Sequence, residues 1–395
     1  MNILFLTYSY LPNLGGVERS VHNLARLLSG RGHAVTVVTH GGSAVPFHYR
    51  SAALPPVLRL HIPSQTDPRR RVRALRPVLN ALNLSVLAGF CLLHRIDVIH
   101  AHLLNMDTLY GSWLARLLGI RFVLTLRGGE TEEWIHNKAR FRYVVNRLEE
   151  ADFITAVSRS LLDQAAVLVP QILDRSAVIP NPVDPEALQK LAGTSAVIPQ
   201  SRPYLLFAGR LEEMKDVACL LDAYTLRIAA DPGFPADLVI AGEGSLRQSL
   251  QRHALVGAAA SRIRFLGRLS QADTLRWIRS ALALVLPSRC SEGCPNVLLE
   301  AMALKTPVLV SNLPSLREWV EDGSSGLVFP VGRPDALAAR LHDLVAHPRA
   351  RERWAETAAS RLQTHFAMAS IASAYEVIYA SLPERRAARG SSPHS

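Results

Sequence analysis

The sequence predicts an α/β protein with two Rossmann-like domains in tandem, and three observations carry that prediction. Short apolar runs alternate with helix-length amphipathic stretches, the pattern of parallel sheets covered by helices. The alternation occurs in two series, separated by a Pro- and Ser-rich polar connection at 180–203. A chain of 395 residues is long enough for two domains of ordinary size, each with its own core.

In the first series, strands are expected at 3–8, 34–39, 57–62, 97–102, 121–126, 153–158 and 177–180. The first strand leads into a turn at Gly15 and Gly16, then an amphipathic helix from Val17 to Leu28 that ends near Gly30 and Gly32. The second series places strands at 204–209, 236–242, 262–267, 282–287, 307–311 and 326–329. Beyond about residue 333 the chain reads as helical to Leu382, and 383–395 reads as a disordered tail. No repeat at a solenoid period is visible.

Composition narrows the class. A hydrophobic content of 49% and mean hydropathy of +0.13 exclude an intrinsically disordered chain. No run reaches the ~20 apolar residues of a membrane span, and the longest candidate, Leu82 to Leu93, ends at His94 and Arg95. The opening MNILFLTYSY has no basic leader and reads as a strand, not a signal peptide. Cys91, Cys219, Cys290 and Cys294 lack the spacing of a zinc site and read as reduced thiols of a reducing, cytoplasmic compartment. Net charge is +11, and residues 1–130 hold 14 Lys and Arg against 5 Asp and Glu. That asymmetry predicts an anionic surface or acceptor for the first domain. No nucleic-acid reading module accompanies it.

The richest segment is PSRCSEGCPNVLLEAMA, from Pro287 to Ala303. Glu292 lies in a Gly/Pro-broken loop, and Glu300 lies eight positions on, inside an expected helix with Pro295 at its first position. Free N–H groups at that helix start suit a phosphate. A carboxylate for one sugar, a helix end for phosphate and a carboxylate for a second sugar describe a nucleotide-sugar. Earlier in the chain, the eighth expected strand, 204–209, opens onto GRLEEMKD, with Arg210 and Lys215 five apart at the edge where ligands of open α/β sheets bind. Two cations there can neutralise a diphosphate. Gly242, Glu243 and Gly244 follow another strand in the same way, and Gly15 and Gly16 allow close approach of backbone N–H groups to an anion.

Together these segments resemble the family 4 retaining glycosyltransferases of the GT-B fold, along nearly the whole chain. The most specific element is the E-x7-E signature, matched by Glu292 and Glu300; the Gly15–Gly16 loop, NPVD at 181–184, GRLEEMKD and GEG occur in the family's order. The resemblance implies two Rossmann-like domains facing each other across a cleft. It places an acceptor domain at 1–185, completed by a helix near 369–382, and a nucleotide-sugar domain at 200–365. It implies catalytic roles for Arg210 and Lys215, which would hold the donor diphosphate and help the nucleotide leave, and for Glu292, which would face the donor sugar. Glu300 would hold the ribose. The backbone through Gly293, Cys294, Pro295, Asn296 and Val297 would contact sugar and phosphates, with Gly15, Gly16, Gly209 and Glu243 completing the donor site.

Many family members carry a histidine where this chain has Arg127, and arginine cannot shuttle a proton near neutral pH. Arg127 is open to an acidic donor sugar, an acceptor phosphate, or an ion pair with Glu130 or Glu132. His100 and His102 are either acceptor contacts or structural histidines. No acidic cluster is placed for Mg²⁺, so a metal-independent enzyme without cofactor is expected, with cations in place of the metal. The expected partners are a nucleotide-diphosphate sugar, a glycan or lipid-linked acceptor, and an anionic membrane surface, with no nucleic acid. Membrane attachment would run through Arg69, Arg70, Arg71, Arg73 and Arg76 on the cytoplasmic face, as in polysaccharide, lipopolysaccharide or glycolipid biosynthesis. A GT-B nucleotide-sugar epimerase, or an inactive GT-B subunit of a glycan assembly complex, is the alternative.

Overall fold

The computed structural model describes residues 1–11, 15–40, 47–51, 54–60, 76–104, 106–128, 138–193, 202–257, 259–290, 292–365 and 367–383. The chain divides into two compact units, Met1–Pro182 with Met368–Ser395, and Val183–Ala367. Arg69, Arg70, Arg71 and Arg73, the Glu130 and Glu132 partners expected for Arg127, and the tail beyond Pro383 lie outside the described residues.

The first unit holds an eight-stranded sheet of β1 (Asn2–Thr7), β2 (Ala34–His40), β3 (Phe47–Ser51), β4 (Leu54–Leu60), β5 (Val98–His102), β6 (Arg121–Leu126), β7 (Phe153–Ala156) and β8 (Ser176–Val178). The strand order is β3-β4-β2-β1-β5-β6-β7-β8. Every neighbouring pair is parallel except β3 with β4. Residues such as Ile3, Leu4 and Phe5 are fully buried, as expected for strands covered on both faces. The edge strand β3 was not expected: FHYRS offers two apolar residues and no continuous run, which is how a short polar edge reads. Helices α1 (Gly16–Gly30), α2 (Arg76–Leu93), α3 (Met106–Leu118), α4 (Lys138–Glu150) and α5 (Arg159–Leu168) connect the strands.

The second unit holds β9 (Tyr204–Ala208), β10 (Asp237–Ala241), β11 (Ile263–Gly267), β12 (Ala283–Leu286), β13 (Val308–Ser311) and β14 (Leu327–Phe329), all parallel, in the order β11-β10-β9-β12-β13-β14. Its helices are α6 (Pro185–Ala192), α7 (Val217–Ala230), α8 (Arg247–Ala254), α9 (Gln271–Ser280), α10 (Asn296–Ala303), α11 (Pro314–Arg317), α12 (Pro334–Ala346) and α13 (Pro348–His365). Part of the expected connection is therefore folded. Asp184 caps α6 by accepting the Ala187 N–H at 2.9 Å, and Pro185 sits at a first-turn position where its missing N–H costs nothing. Gln189 then ties α6 to this unit by donating to the Ala303 carbonyl at 3.1 Å.

The last helix, α14 (Met368–Ser381), belongs to the first unit. Ile371, Tyr375 and Tyr379 enter the core that contains Ile3, Phe5, Val21, Leu24 and Val98. Glu376 receives the Arg31 guanidinium at 2.7 Å and lies 3.2 Å from His33 Nε2. Those two hydrogen bonds pull the Glu376 carboxyl down to about 2.

Candidate functional site

In open α/β sheets the crevice beyond the carboxyl ends of the strands, where the strand order reverses, is where ligands bind. In the second sheet the reversal falls between β9 and β12. Arg210 and Lys215 follow β9, while Glu292 and α10 follow β12. The four charged residues singled out by spacing thus issue from the two strands flanking one switch point.

Their contacts are direct. The Lys215 ammonium donates to Glu292 Oε2, and the Ser288 hydroxyl donates to Glu292 Oε1. Glu292 is 7% exposed and Ser288 fully buried, so the carboxylate is held on both oxygens out of bulk water. Behind it, Ser311 at the end of β13 donates to the Ser288 carbonyl at 2.6 Å. The two strand-end loops are also joined through backbone, the Arg289 N–H reaching the Met214 carbonyl at 3.0 Å. Lys215 ends a 3-10 turn, Glu213–Lys215, and Asp216 after it takes the left-handed conformation at φ 44°. That conformation is disfavoured for a residue with a Cβ and least so for Asp and Asn. It turns the chain so that α7 starts at once and Lys215 stays at the strand end. Arg289 lies 3.7 Å from the Asp216 carboxylate. Arg210 is exposed, its guanidinium 3.9 Å from Met214 Sδ.

Helix α10 begins at Asn296, so Pro295 is its cap and not its first residue; at φ −64° and ψ 120° Pro295 is extended. No side chain caps this end, and the Leu298 N–H turns back to the Pro295 carbonyl at 3.0 Å. Gly293, Cys294 and Pro295 are buried, and Asn296 and Val297 are half-buried at the mouth of the helix. Glu300, 4% exposed, lies one turn in, among buried Leu298, Leu299, Ala301, Met302 and Ala303. Four helical steps place it about 6 Å along the axis from Asn296, nearer the helix start than a fully helical eight-residue spacing would put it.

The GEG turn has a packing origin. Gly242 has φ +146°, and a Cβ there would lie 1.8 Å from the Gly209 carbonyl oxygen; a Cβ on Gly244 would lie 2.3 Å from that of Leu211. Main-chain bonds from Gly209 to Ala241 (3.0 Å), Leu211 to Glu243 (2.9 Å) and Leu246 to Leu211 (3.0 Å) lace the loops after β9 and β10 together. The glycines thus hold the loop that carries Arg210. Glu243 pairs with Arg247.

In the first unit, Gly15 caps α1 without any side-chain hydrogen bond, and Gly16 is its first residue. The Glu18 carboxylate lies directly against Gly15. His100, open between acceptor contact and structural histidine in the sequence, is packed in the core. It is fully buried, bonded to Tyr379 Oη at 2.7 Å through Nδ1 and to Thr125 Oγ1 through Nε2. His102 is also fully buried, and its Nδ1 accepts from Arg127 at 3.2–3.3 Å. Arg127, 7% exposed, is directed inward to His102 and donates to Asn181 Oδ1 at 2.7 Å. Burial, then the Arg127 charge, hold His100 well below the usual imidazole range. For His102 the causes are burial, then His100 and Arg127.

Sequence reasoning missed Ser288, Ser311 and Asp216. Ser288 had a local signal, a serine at a strand end four positions before Glu292; Ser311 becomes relevant only when β12 and β13 are paired.

Comparison with known proteins now gives the class. Residues 14–187 match the model of Glycosyltransferase Family 4, and residues 202–347 match that of Glycosyl transferases group 1. The phosphatidyl-myo-inositol mannosyltransferase of Mycobacterium tuberculosis is 30% identical over 356 residues, covering 83% of this chain and 82% of that protein. The glycogen synthase of the same species is 29% identical over 401 residues, 96% and 94% of the two chains. Anabaena HepE, solved with UDP-glucose, superposes with a TM-score of 0.77 at 18% identity, covering 97% of this chain and all of that one. This last likeness is one of fold. The chain belongs to the family 4 glycosyltransferases, with their α/β, two-domain GT-B fold. It is a glycosyltransferase.

Proposed function

We propose that this glycosyltransferase moves a glycosyl group from a nucleotide-sugar to a glycan or lipid-linked acceptor, with retention of configuration and without a metal ion, at the cytoplasmic face of a membrane. The observation that carries the reading is the convergence of Arg210, Lys215 and Glu292 with the uncapped start of α10 at one switch point of the second sheet. Negative charge builds on the departing phosphate during transfer, and cations fixed where it builds are the largest single source of catalysis. Lys215 and Arg210 supply those cations, the N–H groups at α10 take a phosphate oxygen, Glu300 holds the ribose, and Glu292 meets the donor sugar. Lys215 must then exchange Glu292 for the diphosphate, which frees one carboxylate oxygen for the sugar. In this reading cationic side chains at the phosphate take the role that a metal ion would otherwise have. For retention we take same-face attack, in which the leaving phosphate accepts the acceptor's proton as the glycosyl–oxygen bond forms.

For the acceptor, the support is the mannosyltransferase relative, whose name specifies a phosphatidyl-inositol, and helix α2. After Arg76 that helix carries no charged residue, yet Val78, Ala81, Leu82, Ser85, Gly89 and Leu92 are exposed. No helix among the described residues is long and apolar enough to cross a membrane.

Thermal unfolding against UDP-, GDP-, dTDP- and ADP-sugars tests the donor class. A ligand at 100 times its Kd stabilises by about 2.7 kcal/mol, and one nucleotide series is expected to do so. Lys215→Ala should lower kcat by roughly two to three orders of magnitude, as for loss of one oxyanion donor. Full activity in that variant, or no shift with any sugar nucleotide, overturns the reading.

A further inference from the structure

We infer that Ser288 is a positioning residue of the transfer reaction, acting through Glu292; the inference rests on the donor site proposed above. Glu292 has two oxygens with different neighbours. One faces the Lys215 ammonium, a partner that must leave when a diphosphate arrives. The other is held by the Ser288 hydroxyl, a partner that has no reason to leave. Ser288 is fully buried, immediately follows Pro287 at the end of β12, and its carbonyl is fixed from β13 by the Ser311 hydroxyl at 2.6 Å. Neighbouring strands of the parallel sheet thus back one carboxylate oxygen, while the second is left to a side chain on a different loop.

The consequence is a fixed pivot. When Lys215 turns to the phosphates, Glu292 loses half of its partners and would be free to rotate or follow the lysine. The Ser288 bond keeps it in place, so the oxygen released by Lys215 is the one that meets the sugar. A carboxylate 7% exposed cannot take that role from water, and groups that act on a reacting centre need such support from their neighbours.

Three variants and a double mutant test this, read as nucleoside diphosphate release, with water taking the glycosyl group, from a fixed mixture of UDP-glucose, UDP-galactose, UDP-N-acetylglucosamine, UDP-glucuronate, GDP-mannose, dTDP-rhamnose and ADP-glucose. Ser288→Ala should lower the rate about tenfold, the weight of a hydrogen bond to a charged group, with affinity for the free nucleoside diphosphate changed by less than about twofold. Ser288→Cys keeps the volume with a weak donor and should fall between wild type and Ala, which covers the case of an unstable alanine variant. The decisive reading is the cycle with Glu292→Gln. If Ser288 acts through Glu292, the double mutant is no slower than Glu292→Gln alone. Additive losses, or a Ser288→Ala enzyme at wild-type rate, overturn the inference while leaving the donor site standing. A Glu292→Gln enzyme at wild-type rate, or a wild type that releases no nucleoside diphosphate, overturns the donor site and this inference with it.

Discussion

His100 and His102 remain neutral in the folded protein because the ring is taken out of water before any charge is considered. In the unfolded chain both titrate near 6.5. Below that pH the unfolded state binds protons that the folded state refuses, so stability falls as pH falls and is unaffected above it. Each residue contributes up to about 1.4 kcal/mol per pH unit in that window, and His102→Asn is expected to flatten the slope. Urea unfolding at pH 7.5, 6.5 and 5.5 measures this; an imidazole titration near 6.5 for both rings in folded protein would contradict it. The same residues show what a sequence displays at this scale. DVIHAH places two histidines at a strand end, and only the fold reveals Tyr379, 279 residues away, against one of them. Lys215 and Glu292 each stood out in the sequence, but not as partners of each other, because their contact spans 77 residues.

Strand-end loops carry the site, and their shape depends on the glycines that let them touch. Gly242→Ala would push a methyl group into the Gly209 carbonyl, at a cost of about 1–3 kcal/mol, and would displace Arg210 next to it. Gly332 also has positive φ, but a Cβ there meets open space, so Gly332→Ala should cost only about 1–2 kcal/mol. Thermal unfolding should fall for both, and nucleoside diphosphate release should fall further for Gly242→Ala alone; equal release would separate the GEG turn from the donor site. Most elements were legible because buried parallel strands are continuous apolar runs, as in ILFLT and YLLFA. The exceptions were elements without that signature. Strand β3 hangs on pairing with β4, and α6 was hidden in a Pro-rich stretch although Asp184 and Pro185 spelled its start.

For the molecule as a whole, the charge asymmetry and the uncharged exposed stripe of α2 belong to the same unit. Five arginines, Arg69, Arg70, Arg71, Arg73 and Arg76, precede that stripe and contribute at most roughly 5 kcal/mol at an anionic leaflet, enough for reversible, salt-sensitive docking. In liposome flotation the protein should rise with anionic vesicles at low salt and stay behind with neutral ones. Replacing three of the arginines by Ser, or Leu82 and Leu92 by Asp, should each reduce binding. Equal behaviour on anionic and neutral vesicles would contradict membrane docking by charge.

Helix α14 closes the core of the first unit but is synthesised only after the second unit. Its Ile371, Tyr375 and Tyr379 arrive after the whole of Val183–Ala367, about 185 residues, has left the ribosome. At 5–20 residues per second that interval is roughly 10–40 s. During it the first 182 residues can form their sheet but hold an open socket where His100 awaits Tyr379 and Arg31 awaits Glu376. The second unit, contiguous in sequence, has no such wait and can finish first. A ribosome that stops just short of Met368 would therefore release a chain whose second unit is complete and whose first is not, so the wait for this short helix exposes the newborn enzyme to proteases and chaperones.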